Sequence, residues 1–301
     1  KAWAQSQPGD FDFKLEESRP IPKANAGQVI IKNKAVGVNP IDWKAPAPAF
    51  GGTDYSKTKV YGVDGAGTIA EVGEGVKDFA VGDLVWYFTG LHHGQGAYAE
   101  YSLAEAGHVF KIPQGFDVEQ AGTAACILLT CAVALIDKLN VQSGDVVLVR
   151  GSSGGVGHLA TQIAKALGAS KVVGICSGGK FEFCKTQGKC DECIDYTKGE
   201  EHIAAEVKRL TNGAGFPKVF DTVSTDVEKF FGFVQNGGQV ATILPVPLDG
   251  AAAFGAFGNN ISLHNILVLS YVSAPHNIAK SRAMADKIVN EMIVPGKVAI
   301  H

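Results

Sequence analysis

The sequence predicts an α/β protein in two parts, a compact barrel-like β unit followed by a doubly wound parallel sheet. Three observations carry that expectation. Short β patterns punctuated by Gly-Asp turns fill the chain up to about residue 120, and alternating strands and helices follow from about residue 122. The stretch Val149–Lys165, VRGSSGGVGHLATQIAK, places a glycine-rich turn between a strand and a helix.

The first part contains GQVIIKNKAVGV, GAGTIAEVG, VGDLVWYF and GAYAEYSL, short runs bounded by glycine and aspartate. Ala121–Ile136 is the longest apolar run, and it falls short of the ~18–20 residues that span a bilayer, so it reads as a buried helix at a domain junction. Strands are then expected at Val146–Val149, Val172–Ile175, Glu192–Asp195, Val219–Thr222, Gln239–Ile243 and Leu263–Tyr271. Helical spacing is found at 156–167, 180–187, 200–211, 226–235 and 277–293. The segment GAAAFGAFGNN (250–260) is low in complexity and reads as a loop.

With 301 residues, 46% hydrophobic and 19% charged, and a net charge of −3, the chain has the balance of a soluble globular protein. Nothing in it suggests nucleic acid or an anionic membrane as a partner. No basic start followed by an apolar segment marks a signal peptide, although the initiator Met is absent. All six cysteines lie between Cys126 and Cys193, which does not resemble a disulfide framework and points to a reducing, cytoplasmic compartment.

The glycine turn departs from GxGxxG at its first position, Ser152, but a β-branched strand precedes it and Leu159, Ile163 and Leu167 recur at helical spacing after it. Amide groups at the head of such a helix point at a phosphate, and absent Cβ atoms let it come close. An NAD site usually carries an acid at the end of the second strand. Here that place reads Gly174-Ile-Cys-Ser-Gly-Gly-Lys180, so no carboxylate repels a 2′-phosphate, and Ser177 and Lys180 can bind one. NADPH is therefore expected over NADH.

The run Gly144–Lys165, GDVVLVRGSSGGVGHLATQIAK, resembles the zinc-independent quinone oxidoreductase and ζ-crystallin branch of the medium-chain dehydrogenases. Further matches are GVNPIDWK (37–44), GVDGAGTIAEVG (62–73), GDLVW (82–86), GAYAEY (96–101) and IDYT (194–197). The resemblance implies a groES-like catalytic domain over 1–121, a Rossmann NADPH-binding domain over 122–271 and a return segment over 272–301 that stops short of the family's usual end, with a cleft between the two domains. It also implies that Ser152, Ser153, Gly154, Gly155, Val156 and Gly157 hold the pyrophosphate and that Lys180 and Tyr196 touch the 2′-phosphate. Thr130 and the Asn39 region would lie near the nicotinamide, and Val223 and Ile243 also fall in the cofactor site.

Zinc-dependent relatives coordinate catalytic zinc through a cysteine, a histidine and a third ligand. The matching slots here hold Asn39, Val63 and Cys126, and no cysteine precedes Cys126 to build a structural zinc lobe, so no metal is expected. Cys190-Asp-Glu-Cys193 offers CxxC spacing without a second pair. Without a Lewis acid, plausible acceptors are already electron-poor: quinones first, 2-alkenals and related enones second. A crystallin-like NADPH-binding structural or regulatory protein is the reading from outside enzymology. Candidate catalytic residues are Asn39, Asp42, Thr130 and Tyr55, and candidate cleft residues are Asn39, Phe50, Tyr87, His92 and His93. Tyr61 is a further possible proton donor, and quinol anions can take a proton from water. A homodimer is expected through the apolar edge strand at 266–271.

Overall fold

The computed structural model describes residues 1–6, 12–44, 59–89, 95–224, 227–245 and 250–301. The chain divides into two compact units, one made of Lys1–Cys126 with Val272–Ala283 and the other of Ile127–Tyr271 with Met284–His301.

The first unit is antiparallel β. Strands β1 (Ala2–Gln5) and β2 (Phe13–Glu16) pair as a ribbon. Strands β3 (Gln28–Val36), β4 (Asp64–Val72), β5 (Leu84–Phe88), β6 (Tyr101–Glu105) and β7 (Val109–Lys111) form a sheet in the order β6-β3-β4-β5-β7. Val29 and Ile31 of β3 alternate onto one face, where Ile69, Val85, Tyr87, Ala104 and Val109 complete a core. The Gly-Asp turn before β5 closes as the sequence predicts: Gly82 takes a φ of +96°, and Asp83 accepts the Ala80 amide at 3.0 Å. Two short helices, α1 (Pro40–Lys44) and α2 (Val118–Gly122), complete the main elements of this unit, the second capped by Asp117 through the Glu119 and Gln120 amides.

The second unit is a six-stranded parallel sheet. Its strands are β8 (Val146–Arg150), β9 (Lys171–Cys176), β10 (Glu192–Asp195), β11 (Phe216–Asp221), β12 (Val234–Thr242) and β13 (Ser262–Asn265), in the order β10-β9-β8-β11-β12-β13. That order reverses between β8 and β11, the crevice where doubly wound sheets bind ligands. Near-continuous burial of β8, β9 and β11 explains their Val/Ile-rich sequences. Helices α3 (Ala125–Cys131), α4 (Gly155–Ala166), α5 (Phe181–Thr186), α6 (Glu200–Thr211), α7 (Gly250–Gly258), α8 (Val268–Ser273) and α9 (Pro275–Ile288) follow in chain order, the stretch Val272–Ala283 of α8 and α9 belonging to the first unit. The run 121–136 is helical in three pieces, α2, α3 and a wider π turn over Ala132–Lys138.

Three expectations are corrected. The segment 250–260 is α7 rather than a loop, because Asn260 ends it in a left-handed conformation (φ +53°) and the Ile261 amide reaches back to the Ala256 carbonyl at 2.9 Å. The strand expected over Leu263–Tyr271 ends at Asn265, and burial of Val268, Leu269 and Val272 beside exposed Leu267 has the spacing of α8. The edge strand at 266–271 on which a homodimer was expected is therefore absent. The helix expected over 226–235 is a 3₁₀ segment, Val227–Phe233, that gives way to β12 at Val234. Among the described residues no helix is long and apolar enough to cross a membrane.

Candidate active site

The carboxyl edge of the parallel sheet gathers most of the expected cofactor residues. Gly151–Gly155 follow β8, Ser177–Lys180 follow β9, Tyr196 follows β10, Val223 follows β11 and Ile243 follows β12. Register brings these ends together, since Asp195 pairs with Cys176 and Asp221 with both Arg150 and Thr242. Gly151 has a φ of +75°, and a Cβ there would lie 2.5 Å from Thr222 Oγ1, so only glycine lets the β8 and β11 turns meet.

The three positions of the glycine motif do different work. Gly154 caps α4, and a Cβ built on Gly155 meets only Ile127, at 3.7 Å, so the head of the helix is open to an anion. Gly157 faces the other way: a Cβ on it would overlap the Gly151 carbonyl, which makes it the residue that permits close helix–strand packing. Ser152 was expected to touch the cofactor. It is instead fully buried, donating from Oγ to the Ile175 carbonyl at 3.2 Å with Cys184 Sγ 3.4 Å away, because the turn folds its side chain under the sheet edge.

A cavity of about 670 Å³ opens here, lined among others by Ser153, Gly154, Tyr196 and Val223. Its size suits a nucleotide fragment. Arg150 and Phe230, which belong to none of the expected cofactor positions, also line it. Arg150 donates from Nη1 to the fully buried Asp221 at 3.2 Å and lies 4.1 Å from the Phe230 ring centroid. Asp221 also accepts the Val223 and Ser224 amides, each at 2.9 Å, so one carboxylate fixes the turn after β11. The signal was present in the sequence as an arginine and an aspartate ending two apolar runs. Lys180 is exposed at the end of the Gly178–Lys180 turn, and Tyr196 is 56% exposed. Asp195, the nearest acid, is held by the Thr197 hydroxyl at 2.7 Å and its amide at 3.0 Å. These bonds lower its pKa. Thr130 is buried on α3, and Val156 lies in the first turn of α4 with its carbonyl accepting from the Cys131 thiol at 3.4 Å.

The first unit holds a buried polar knot. Pro40 opens α1, and Asp42 accepts the Asn39 amide at 2.7 Å, the backbone half of a capping box. Asn39 Nδ2 donates to Asp64 Oδ1 at 2.7 Å, the Cys126 amide donates to Asp64 Oδ2 at 2.8 Å, and the Tyr98 hydroxyl donates to Asp42 at 2.7 Å. Burial pushes the Asp64 carboxyl up to about 7 against those bonds, and burial raises Asp42 as well. Desolvation and the Asp42 carboxylate raise Tyr98. Asp64 and Tyr98 lie inside the motifs GVDGAG and GAYAEY, where the signal for the first is an acid within an apolar, glycine-rich strand start. Tyr87, expected to line a cleft, is a fully buried core residue whose hydroxyl donates to Asn33 at 2.6 Å and meets Ser102 at 2.9 Å. Tyr61 is also buried, edge-on to Phe13. Phe50, Tyr55, His92 and His93 lie outside the described residues.

Residues 25–114 match the alcohol dehydrogenase GroES-like domain, and residues 155–271 match the zinc-binding dehydrogenase family. A 2-methylene-furan-3-one reductase of Solanum lycopersicum is 34% identical over 255 residues, spanning 81% of this chain and 62% of the relative. A quinone oxidoreductase of Pongo abelii is 32% identical over 236 residues, spanning 77% of this chain and 68% of the relative. A mycobacterial protein solved in complex with NADPH has a TM-score of 0.83 at 26% identity, over 97% of this chain and 88% of that one. The chain spans less than two thirds of the length of the tomato reductase, 62% of it.

Proposed function

The chain belongs to the medium-chain dehydrogenase/reductase superfamily, in its quinone oxidoreductase branch, and from that premise we propose that it is an NADPH-dependent oxidoreductase acting on quinones. The observation that carries the proposal is the carboxyl edge of the parallel sheet. An open helix head at Gly154–Gly155 adjoins a 670 Å³ cavity, and Ser177 and Lys180 stand where a carboxylate would select NAD. These residues fit the cofactor, which when bound supplies the hydride.

The protein's part is binding and orientation. Amides at the head of α4 receive the pyrophosphate, Ser177, Lys180 and Tyr196 receive the 2′-phosphate, and Thr130, Val223 and Ile243 complete the cofactor contacts. In the first unit Asn39 is oriented by Asp64 through one amide hydrogen and offers the other to an acceptor oxygen. Asp42 positions Asn39 rather than transferring a proton, and water protonates the quinol anion. The reaction is zinc-independent in this proposal, because Asn39 is bonded to Asp64 and Val63 carries no donor. Residues 1–121 thus act as the catalytic domain and 122–271 as the cofactor domain, in a cytoplasmic homodimer.

The test is loss of nicotinamide absorbance with NADPH and NADH in parallel, against a naphthoquinone and a 2-alkenal. Quinone turnover with a strong NADPH preference is expected. The second reading, reduction of an enone double bond, draws on the similarity to the tomato reductase. It requires deuterium from labelled cofactor at the product's β-carbon, and turnover of the alkenal alone would replace the first reading. Binding of NADPH without turnover of either would favour a structural or regulatory role.

A further inference from the structure

Among the described residues, Cys176, Cys184 and Cys193 bring their Sγ atoms within 4.8 Å of one another. They come from the end of β9, from α5 and from β10. Cys184 and Cys176 are 3.4 Å apart, sulfur to sulfur. Cys190, also buried, makes a side-chain contact with Cys193. Gly174 keeps the space clear: a Cβ there would lie 2.5 Å from Ser152 Oγ and 2.9 Å from Cys190 Sγ. Four of the six cysteines of the chain therefore share one pocket, although only Cys190 and Cys193 are close in sequence.

The geometry points to a thiolate site for a thiophilic divalent d¹⁰ cation of the zinc and cadmium class, bound by Cys176, Cys184 and Cys193, with Cys190 beside Cys193. A zinc–sulfur bond of about 2.3 Å puts ligand sulfurs about 3.8 Å apart in a tetrahedron, so the three present thiols reach that arrangement with small side-chain adjustments. Soft thiolates select such cations over magnesium or calcium. Each thiol that binds releases its proton to solvent as the metal–sulfur bond forms, with no change of oxidation state. Half-buried Cys193 gives the ion its entry. Three elements would be tied at one point, and their chain continuations carry Ser177, Lys180 and Tyr196. That last consequence, a metal-dependent affinity for NADPH, rests on the proposed function; the metal site itself does not.

The experiment is Cd²⁺ titration of the purified, fully reduced chain without cofactor, followed by sulfur-to-cadmium charge-transfer absorption. Saturation at one ion per chain is expected, with Cys193→Ser weakening binding by at least about tenfold and Cys126→Ser leaving it unchanged. In parallel, Zn²⁺ loading of the unmutated chain should shield half-buried Cys193 from alkylation mapped by mass spectrometry, which keeps the test valid if a variant misfolds. No saturable band, equal binding by folded Cys193→Ser, or an alkylation pattern indifferent to zinc would overturn the site. Formation of a Cys176–Cys184 disulfide in place of metal binding would overturn it too. A chain that binds cadmium but not NADPH would sink the functional proposal and leave this one standing.

Discussion

In the proposed reading Lys180 and Ser177 carry the cofactor preference, because the sheet edge beside them offers no free carboxylate; Asp195 is already bonded to Thr197. Lys180→Ala is expected to lower the ratio of kcat/KM for NADPH over NADH by about tenfold or more, the worth of one charge-assisted contact. An unchanged ratio in steady-state assays would remove Lys180 from the site. Asp64 makes a different prediction. Its folded pKa is about 7 against an ordinary 3.8, so the folded state binds the proton more tightly than the unfolded chain. Its contribution favours folding at low pH and is lost as pH rises from about 4 to about 7. Denaturant melts should therefore show the unmutated chain losing a few kcal/mol relative to Asp64→Asn across that window, with no further change above it. Residue types were legible in the sequence, but their directions were not: Ser152 lies in the motif yet points under the sheet, and Tyr87 lies in a strand whose aromatic faces the core.

Among the elements, the head of α4 separates packing from binding. Gly157→Ala places a methyl against the Gly151 carbonyl and is expected to cost about 1–3 kcal/mol of stability as well as NADPH affinity. Gly155→Ala projects into open space toward Ile127 and is expected to weaken NADPH binding while leaving the melting temperature nearly unchanged. Cofactor fluorescence titration alongside thermal melts distinguishes the two. Periodicity located β8, β10, α4 and α6 within a residue or two of their observed ends; the two helices are each 12 residues long, and the two strands are bounded by glycine or charged residues. It failed at 250–273, where alanine and glycine give weak amphipathicity and the β-branched, aliphatic character of 266–272 reads as strand although His264 and Asn265 end β13 before α8 begins.

At the scale of the molecule, the proposed homodimer cannot pair an edge strand at 266–271, because β13 ends at Asn265. β13 is the last strand of the six, and Phe254 and Phe257 on the preceding α7 are 72% and 79% exposed. A second copy covering that edge would bury both rings. Sedimentation at micromolar concentration should give twice the chain mass, and Phe254→Glu with Phe257→Glu should give a monomer; a monomeric unmutated chain would end the dimer proposal. The sequence by itself determined the fold class, the strand–turn–helix that opens the parallel sheet, and the absence of a carboxylate in the Gly174–Lys180 segment, because these depend on local periodicity and on residue type at fixed spacing. Only the tertiary structure decided that Asp64 is shut away with Asn39, that Arg150 and Asp221 clamp two strand ends, and that cysteines from β9, α5 and β10 meet in one pocket. Parallel strand order sets those meetings, and it is fixed by how helices and strands bury one another rather than by any spacing along the chain.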